Sequence, residues 1–122
     1  MTVRLHYMLD ENHNIITTDN VIEWAQWFEE NNAKRIVQQD PIDDLWISTV
    51  FMGIDHGFTN GGMPILFETM VFDKNHDEID MVRYATWDEA LQGHKDTVRR
   101  YQTHPEIEAL HELQREVENH GQ

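Results

Sequence analysis

Apolar and polar positions alternate from the start of the chain. Val3, Leu5 and Tyr7 fall between Thr2, Arg4 and His6, a period of two that predicts a half-buried first strand. Asp10 to Asn14 reads as a turn, and Ile15 to Thr18 as the second strand of a hairpin. From Val21 the period lengthens. Val21, Trp24, Ala25 and Phe28 give a helix one apolar face, with Asn20 and Glu23 placed to cap its start and Asn31-Asn32 to end it. Lys34 to Gln38 predicts another strand, closed by Asp40-Pro41 because proline cannot donate to a ladder.

Leu45 to Ile54 and Pro64 to Asp73 are apolar on both alternating sets of positions, the pattern of strands covered on both faces. Paired as a hairpin with residue numbers summing to about 118, they set Val50 opposite Glu68 and Met52 opposite Leu66. Met81 to Ala85 follows the polar turn KNHDEID, and these three strands are expected in the middle of the sheet. Setting Met70 opposite Arg83 makes Arg83 diagonal to Glu68. Thr86-Trp87-Asp88-Glu89 is a capping box opening a helix whose face carries Trp87, Ala90, Leu91, His94, Val98 and Tyr101. A second box at Thr103 to Glu106 opens a polar helix with the narrow stripe Ile107, Leu110, Leu113 and Val117. No internal repeat, linker or low-complexity segment is expected. The pattern predicts an α+β single domain over residues 1–103, a mainly antiparallel sheet covered by helices, and an additional C-terminal helix in 104–122 that packs on the domain or on a second chain.

A length of 122 residues accommodates one domain with a core of its own. The absence of cysteine excludes disulfides, thiol nucleophiles and thiolate metal sites. The opening MTVRLHYMLDENHN has no apolar core of the signal-peptide kind and no stretch approaches a membrane span, so a soluble cytoplasmic protein is expected. A formal net charge of −14 repels phosphate backbones and anionic membranes, which argues against direct nucleic-acid or membrane binding. The same field attracts a basic protein partner. The acids are also spread along the chain without a long block, as in a surface charged for solubility.

The densest chemistry lies in GIDHGFTNGGMPILFETMVF, residues 53–72. His56 oriented by Asp55 has the composition of a general base or metal ligand. Equally, Asp55 can accept backbone amides to hold the loop while His56 packs beside Phe58. Asn60-Gly61-Gly62 tolerates positive φ and explains the bend, and it lacks the order of a phosphate cradle. Glu68 stands about 15 Å from the loop base at ~3.3 Å per residue, so this hairpin alone does not build an Asp-His-Glu site. An ion pair with Arg83 satisfies Glu68 more simply than catalysis. His94 lies in an apolar stripe beside Gly93, which lets another element approach; it is either a hydrogen-bonded core histidine or, if it meets His56 and Asp55, a ligand for a divalent ion. His111-Glu112 begins a zinc-protease motif that fails at Arg115. Glycine-rich nucleotide, serine-hydrolase and calcium-loop motifs are absent. The four tryptophans Trp24, Trp27, Trp46 and Trp87 fall in predicted elements, where core packing is their ordinary role; Trp24 and Trp27 cannot both point squarely inward with Phe28, and an exposed member of that pair would mark a binding patch.

STVFMGIDHGF (48–58), LFETMVF (66–72) and TWDEA (86–90) with Gly93-His94 resemble a family of small uncharacterised proteins encoded in bacterial and bacteriophage genomes. Its members carry STVFLGLDH, a glycine-rich loop, LFETM and a TWEEA…GH helix. The resemblance covers roughly residues 20 to 98 and leaves the final helix as an addition. It implies a bacterial or phage cytoplasmic setting and matches Asp55, His56, Glu68, Gly93 and His94, but carries no activity to any of them. Three readings follow. The leading one is a non-catalytic, phage-type accessory protein that binds another macromolecule through an acidic or aromatic surface. The second is a metal-assisted hydrolase using Asp55, His56 and His94, with Glu68 as acid-base group. The third is a virion or homo-oligomeric component joined through Ile107, Leu110, Leu113 and Val117.

Overall fold

The computed structural model describes residues 5–57, 62–102, 113, 116 and 117. A hairpin of β1 (His6–Leu9) and β2 (Ile15–Thr18) leads into α1 (Val21–Glu30). Four further strands follow, β3 (Ile36–Ile42), β4 (Leu45–Phe51), β5 (Phe67–Phe72) and β6 (Glu78–Tyr84), and then α2 (Trp87–Tyr101). The first two strands form one antiparallel sheet and the last four another, in the order β3-β4-β5-β6. The fold is α+β, as the hydrophobic pattern predicts. Of the expected C-terminal helix, Leu113, Glu116 and Val117 are helical; Ile107 and Leu110 lie outside the described residues.

The central hairpin has the expected register. Val50 faces Glu68, and the Met52 amide donates to the Leu66 carbonyl at 2.7 Å. β4 ends at Phe51 because Gly53 turns the chain at φ +75, a conformation that side chains resist. A Cβ there would also stand 3.1 Å from Phe28 and Trp24 of α1. The Gly53 carbonyl accepts the Tyr7 amide and the Trp24 indole donates to the Tyr7 carbonyl at 3.0 Å, so the bend ties β1 and α1 to the end of the sheet.

Several expectations are corrected. The first strand starts at His6 among the described residues, and Val3 lies outside them. β3 continues through Asp40-Pro41 to Ile42. Phe51 donates to Arg35 and Met52 to Leu66, so antiparallel alternation directs odd residues of β4 toward β3 and even ones toward β5. Pro41, opposite Trp46, therefore turns its missing donor to the free edge and no ladder bond is lost. β6 is an edge strand, and it sets Glu68 directly opposite Arg83 and Met70 opposite Met81; the strand starts at Glu78, with a register shift at Val71/Phe72. On α1, Val21 and Ala25 are exposed, and the side chains turned inward are Trp24, Trp27 and Phe28.

The core is Leu9, Phe51, Leu66, Phe67 and Ala90, ringed by Trp27, Tyr84, Trp87 and other half-buried side chains. Burial of Phe51 or Phe67 contributes ~1.5–3 kcal/mol each. α2 lies across all four strands of the larger sheet. Its start is fixed by Thr86, which accepts the Glu89 amide at 3.1 Å and donates its hydroxyl to the Glu89 carboxylate at 3.0 Å. Gly93 admits the Tyr84 ring, whose atoms lie 2.1–2.2 Å from where a Cβ would be.

One turn is used twice. In Asp10-Glu11-Asn12-His13-Asn14 and in Asp73-Lys74-Asn75-His76-Asp77, the aspartate accepts the amides two and four residues on, and the histidine takes positive φ (65 and 64). Both turns close a hairpin. His13 stacks on Trp87 with centroids 3.7 Å apart, joining the small hairpin to α2, whereas His76 is exposed.

Candidate functional site

Asp55 and His56 follow β4 in the loop that closes on Ile65. Asp55 Oδ1 accepts the amides of Gly57 and Ile65, both at 2.8 Å, and the His56 amide donates to the Ile65 carbonyl at 2.9 Å. The carboxylate is thereby engaged in loop closure. Phe58 lies outside the described residues, as do Asn60 and Gly61. Glu68 sits on the face of β5 remote from α2, where Arg83 Nε donates to its Oε2 at 3.0 Å. Among the described residues no three His, Asp or Glu side chains gather as a metal-holding group, so the structure does not bring Asp55, His56 and His94 together.

His94 is fully buried, and its partners come from two strands. Nε2 lies 2.7 Å from Asp40 Oδ2 and Nδ1 lies 2.7 Å from Thr49 Oγ1; the Thr49 hydroxyl in turn meets that of Thr69 on the next strand. Gln38 Nε2 also donates to Asp40 Oδ2, at 2.8 Å. The hydrogen bond from His94 holds the Asp40 carboxyl below its usual range, followed by the smaller opposing effect of burial. An ionised carboxylate only accepts, so Nε2 carries a proton. In the neutral ring Nδ1 then accepts from Thr49, and Thr49 accepts from Thr69. The chain Thr69 to Thr49 to His94 to Asp40 satisfies each group in it. Because Thr49 and Thr69 are fully buried, neither hydroxyl is presented to a substrate. The chemistry of this relay is to fix one tautomer and to hold Asp40 at the rim, where its side chain is 37% exposed. Sequence reasoning singled out His94 and missed Asp40, Thr49 and Thr69.

The opposite face of the sheet has the character of an interaction surface. Residues directly across an antiparallel ladder share a face. Pro41, Trp46 and Phe72 therefore form one row, Gln39, Ser48, Met70 and Met81 a second, and Ile36, Val50, Glu68 and Arg83 a third. α2 occupies the other side, as its bond to Thr49 requires, and α1 packs on β1 and β2. No described helix covers this face. Trp46 and Met81 are each 40% exposed and Ile36 39%.

The sheet edges, by contrast, are blunted. Pro41 removes a donor from the β3 edge. On β6, alternation turns the Met81 amide outward, and Asp80 Oδ1 accepts it at 2.9 Å. Asp80 Oδ2 accepts from Tyr101 at 2.9 Å, which lowers its carboxyl from the ordinary range. One outward donor on each edge is thus withheld from an added strand, whereas side chains that approach the face meet aromatic and thioether surface.

No protein-family model, curated protein or solved structure matches the chain.

Proposed function

We propose that the chain is a non-catalytic accessory protein that docks a protein partner on the open face of its larger sheet, in the bacterial or phage cytoplasmic setting that the sequence resemblance implies. The observation that carries this reading is the row Pro41, Trp46 and Phe72 with Met70 and Met81 beside it, uncovered by any described helix. Trp46 is the exposed tryptophan that a binding patch calls for. The turns at that end of the sheet carry Asp43, Asp44 and Asp77, and with a net charge of −14 they favour a partner with a basic rim. An enzyme built on Asp55, His56 and His94 has less support, since Asp55 serves its loop and both ring nitrogens of His94 are occupied.

Affinity capture with the full chain, with Trp46→Lys/Met81→Lys, and with the α2 surface variant Gln92→Lys tests the proposal. A partner held by the native chain and by Gln92→Lys but lost by the double variant supports it. Equal retention by all three overturns it. A second reading has an observation of its own: Leu113 and Val117 of the expected C-terminal stripe are 58% and 71% exposed, as a helix joining copies would be in a monomer. Light scattering on the full chain and on a chain ending before Thr103 decides it, because equal masses per particle exclude that helix as the joint.

A further inference from the structure

Between the free edge of β3 and the C-terminal half of α2 lies a cleft of about 360 Å³, within the size range of small-molecule sites, ~300–1,000 Å³. Its β3 wall presents Asp40 and its α2 wall Lys95 and Arg99, with Ile42 and Val98 supplying apolar surface. Lys95 and Arg99 stand one helical turn apart and so project to the same side.

These opposite charges share the cleft without neutralising one another. Asp40 is hydrogen-bonded to His94, and Arg99 approaches Asp96 at 3.9 Å between largely exposed side chains; among the described residues no ion pair joins Asp40 to Lys95 or Arg99. Among the described residues, Asp40 Oδ2 takes both hydrogen bonds that the carboxylate receives, from His94 and Gln38, and none reaches Oδ1. A carboxylate oriented by a wholly buried imidazole loses little freedom when it binds, and that preorganisation favours a ligand. Its lowered pKa keeps it ionised at neutral pH.

We propose that this cleft binds a small zwitterion of the amino-acid type, with its ammonium group on Asp40, its carboxylate on Lys95 and Arg99, and its carbon skeleton against Ile42 and Val98. A plain anion meets Asp40 unfavourably and a plain cation meets the two bases; only a molecule with both charges satisfies both walls. The cleft meets the open sheet face at Pro41, which belongs to both, but Asp40, Lys95 and Arg99 lie outside the rows of that face, and occupancy of the cleft does not depend on docking there.

The experiment is an amide-resolved NMR titration of the full chain with glycine, leucine and γ-aminobutyrate, and with leucine blocked at either end as N-acetyl-leucine or leucine methyl ester. At least one zwitterion is expected to shift Gln38, Asp40, Lys95 and Arg99 saturably, with the blocked compounds weaker by about tenfold or more. Asp40→Asn is expected to weaken the zwitterion and to strengthen N-acetyl-leucine, whose repulsion by Asp40 it removes, and Lys95→Met/Arg99→Met to weaken the zwitterion and to strengthen the methyl ester. Comparison of free and blocked ligands needs no variant, so a poorly folded mutant does not protect the idea. No saturable shift with any of the three zwitterions, equal binding of the blocked compounds, or shifts confined to other residues overturns it.

Discussion

Replacing Thr49 with valine removes a single oxygen from the middle of the buried relay. Two groups lose their partner at once: His94 Nδ1 loses its donor and the Thr69 hydroxyl loses its acceptor. All three residues are fully buried, so water does not replace the bonds. At ~1–3 kcal/mol for each buried polar group left unsatisfied, Thr49→Val is expected to cost about 3 kcal/mol. Thr69→Val is different, because Thr49 still donates to His94 and loses only a bond it accepted; about 1 kcal/mol is expected. In the double variant the orphaned Thr69 hydroxyl is gone too, so the loss stays near that of Thr49→Val alone, below the sum of the singles by ~1 kcal/mol. Thr49→Ser keeps the hydroxyl and is expected to lose ~1 kcal/mol for its methyl group.

Equilibrium unfolding in urea, followed by tryptophan fluorescence, reads all four variants. With a slope of ~2 kcal/mol per molar, Thr49→Val lowers the midpoint by about 1.5 M. A total stability of ~5–15 kcal/mol keeps the variant folded in water. The ranking matters more than the values. If Thr69→Val destabilises as much as Thr49→Val, or the double variant is additive within ~0.5 kcal/mol, the hydrogen bonds do not run in the assigned direction and the neutral His94 tautomer is wrong.

Three further outcomes are expected. Asp40 has its carboxyl lowered chiefly by the His94 hydrogen bond, so its contribution is complete above the ordinary aspartate value of ~3.9 and lost as pH falls through the folded value; urea midpoints against pH should fall less steeply below pH ~4 in Asp40→Asn. Gly93→Ala should destabilise by ~1–3 kcal/mol through its collision with the Tyr84 ring, although alanine is the better helix former by about 1 kcal/mol, and Gly93→Ala/Tyr84→Leu should recover most of the loss in thermal melts. Pro41→Thr/Asp80→Ala restores an outward donor on each edge of the larger sheet and should raise self-association with concentration in static light scattering, while a particle mass unchanged from the native chain counts against the account of blunted edges.

The legible part of the fold is the part fixed by contrast between neighbouring side chains. Two long apolar runs separated by glycines specify the β4–β5 hairpin to the residue, because a one-place slip exchanges the faces of Val50 and Thr49. The next register was illegible: Met70 faces Met81, two places from Arg83, by way of a one-place shift at Val71/Phe72 without which it would face Asp80, and a bulge leaves no hydrophobic signature. Asp40-Pro41 was misread as a strand end because a proline reports only that its own donor is missing. Whether that donor faces a neighbour or the free edge depends on strand order, which composition does not encode. The repeated turn, by contrast, stands openly in the sequence as two Asp-x-Asn-His segments. Its meaning depends on both histidines adopting positive φ, an unusual conformation that the residue type permits without announcing.

For the relay, the decisive clue was already contained in the hairpin register. Numbers summing to 118 place Thr49 opposite Thr69, and both fall on the parity of Ile47, Phe51, Phe67 and Val71, the most buried positions of the sheet. Two hydroxyls facing each other among such neighbours need a third polar group above them. The helix that crosses this face offers His94 within its apolar stripe, one residue after the glycine that brings it close to the sheet. An imidazole there has a second nitrogen to satisfy, which calls for an acceptor on the adjoining strand, and Asp40 stands two places from Gln38, the residue opposite Thr49. Each step follows from counting donors and acceptors on a known register, so a fold of this kind exposes its buried polar network to sequence reading once one hairpin is correctly paired. The open face allows no such deduction: an exposed Trp46 satisfies itself with water, and only the absence of a covering helix among the described elements distinguishes it from a core tryptophan.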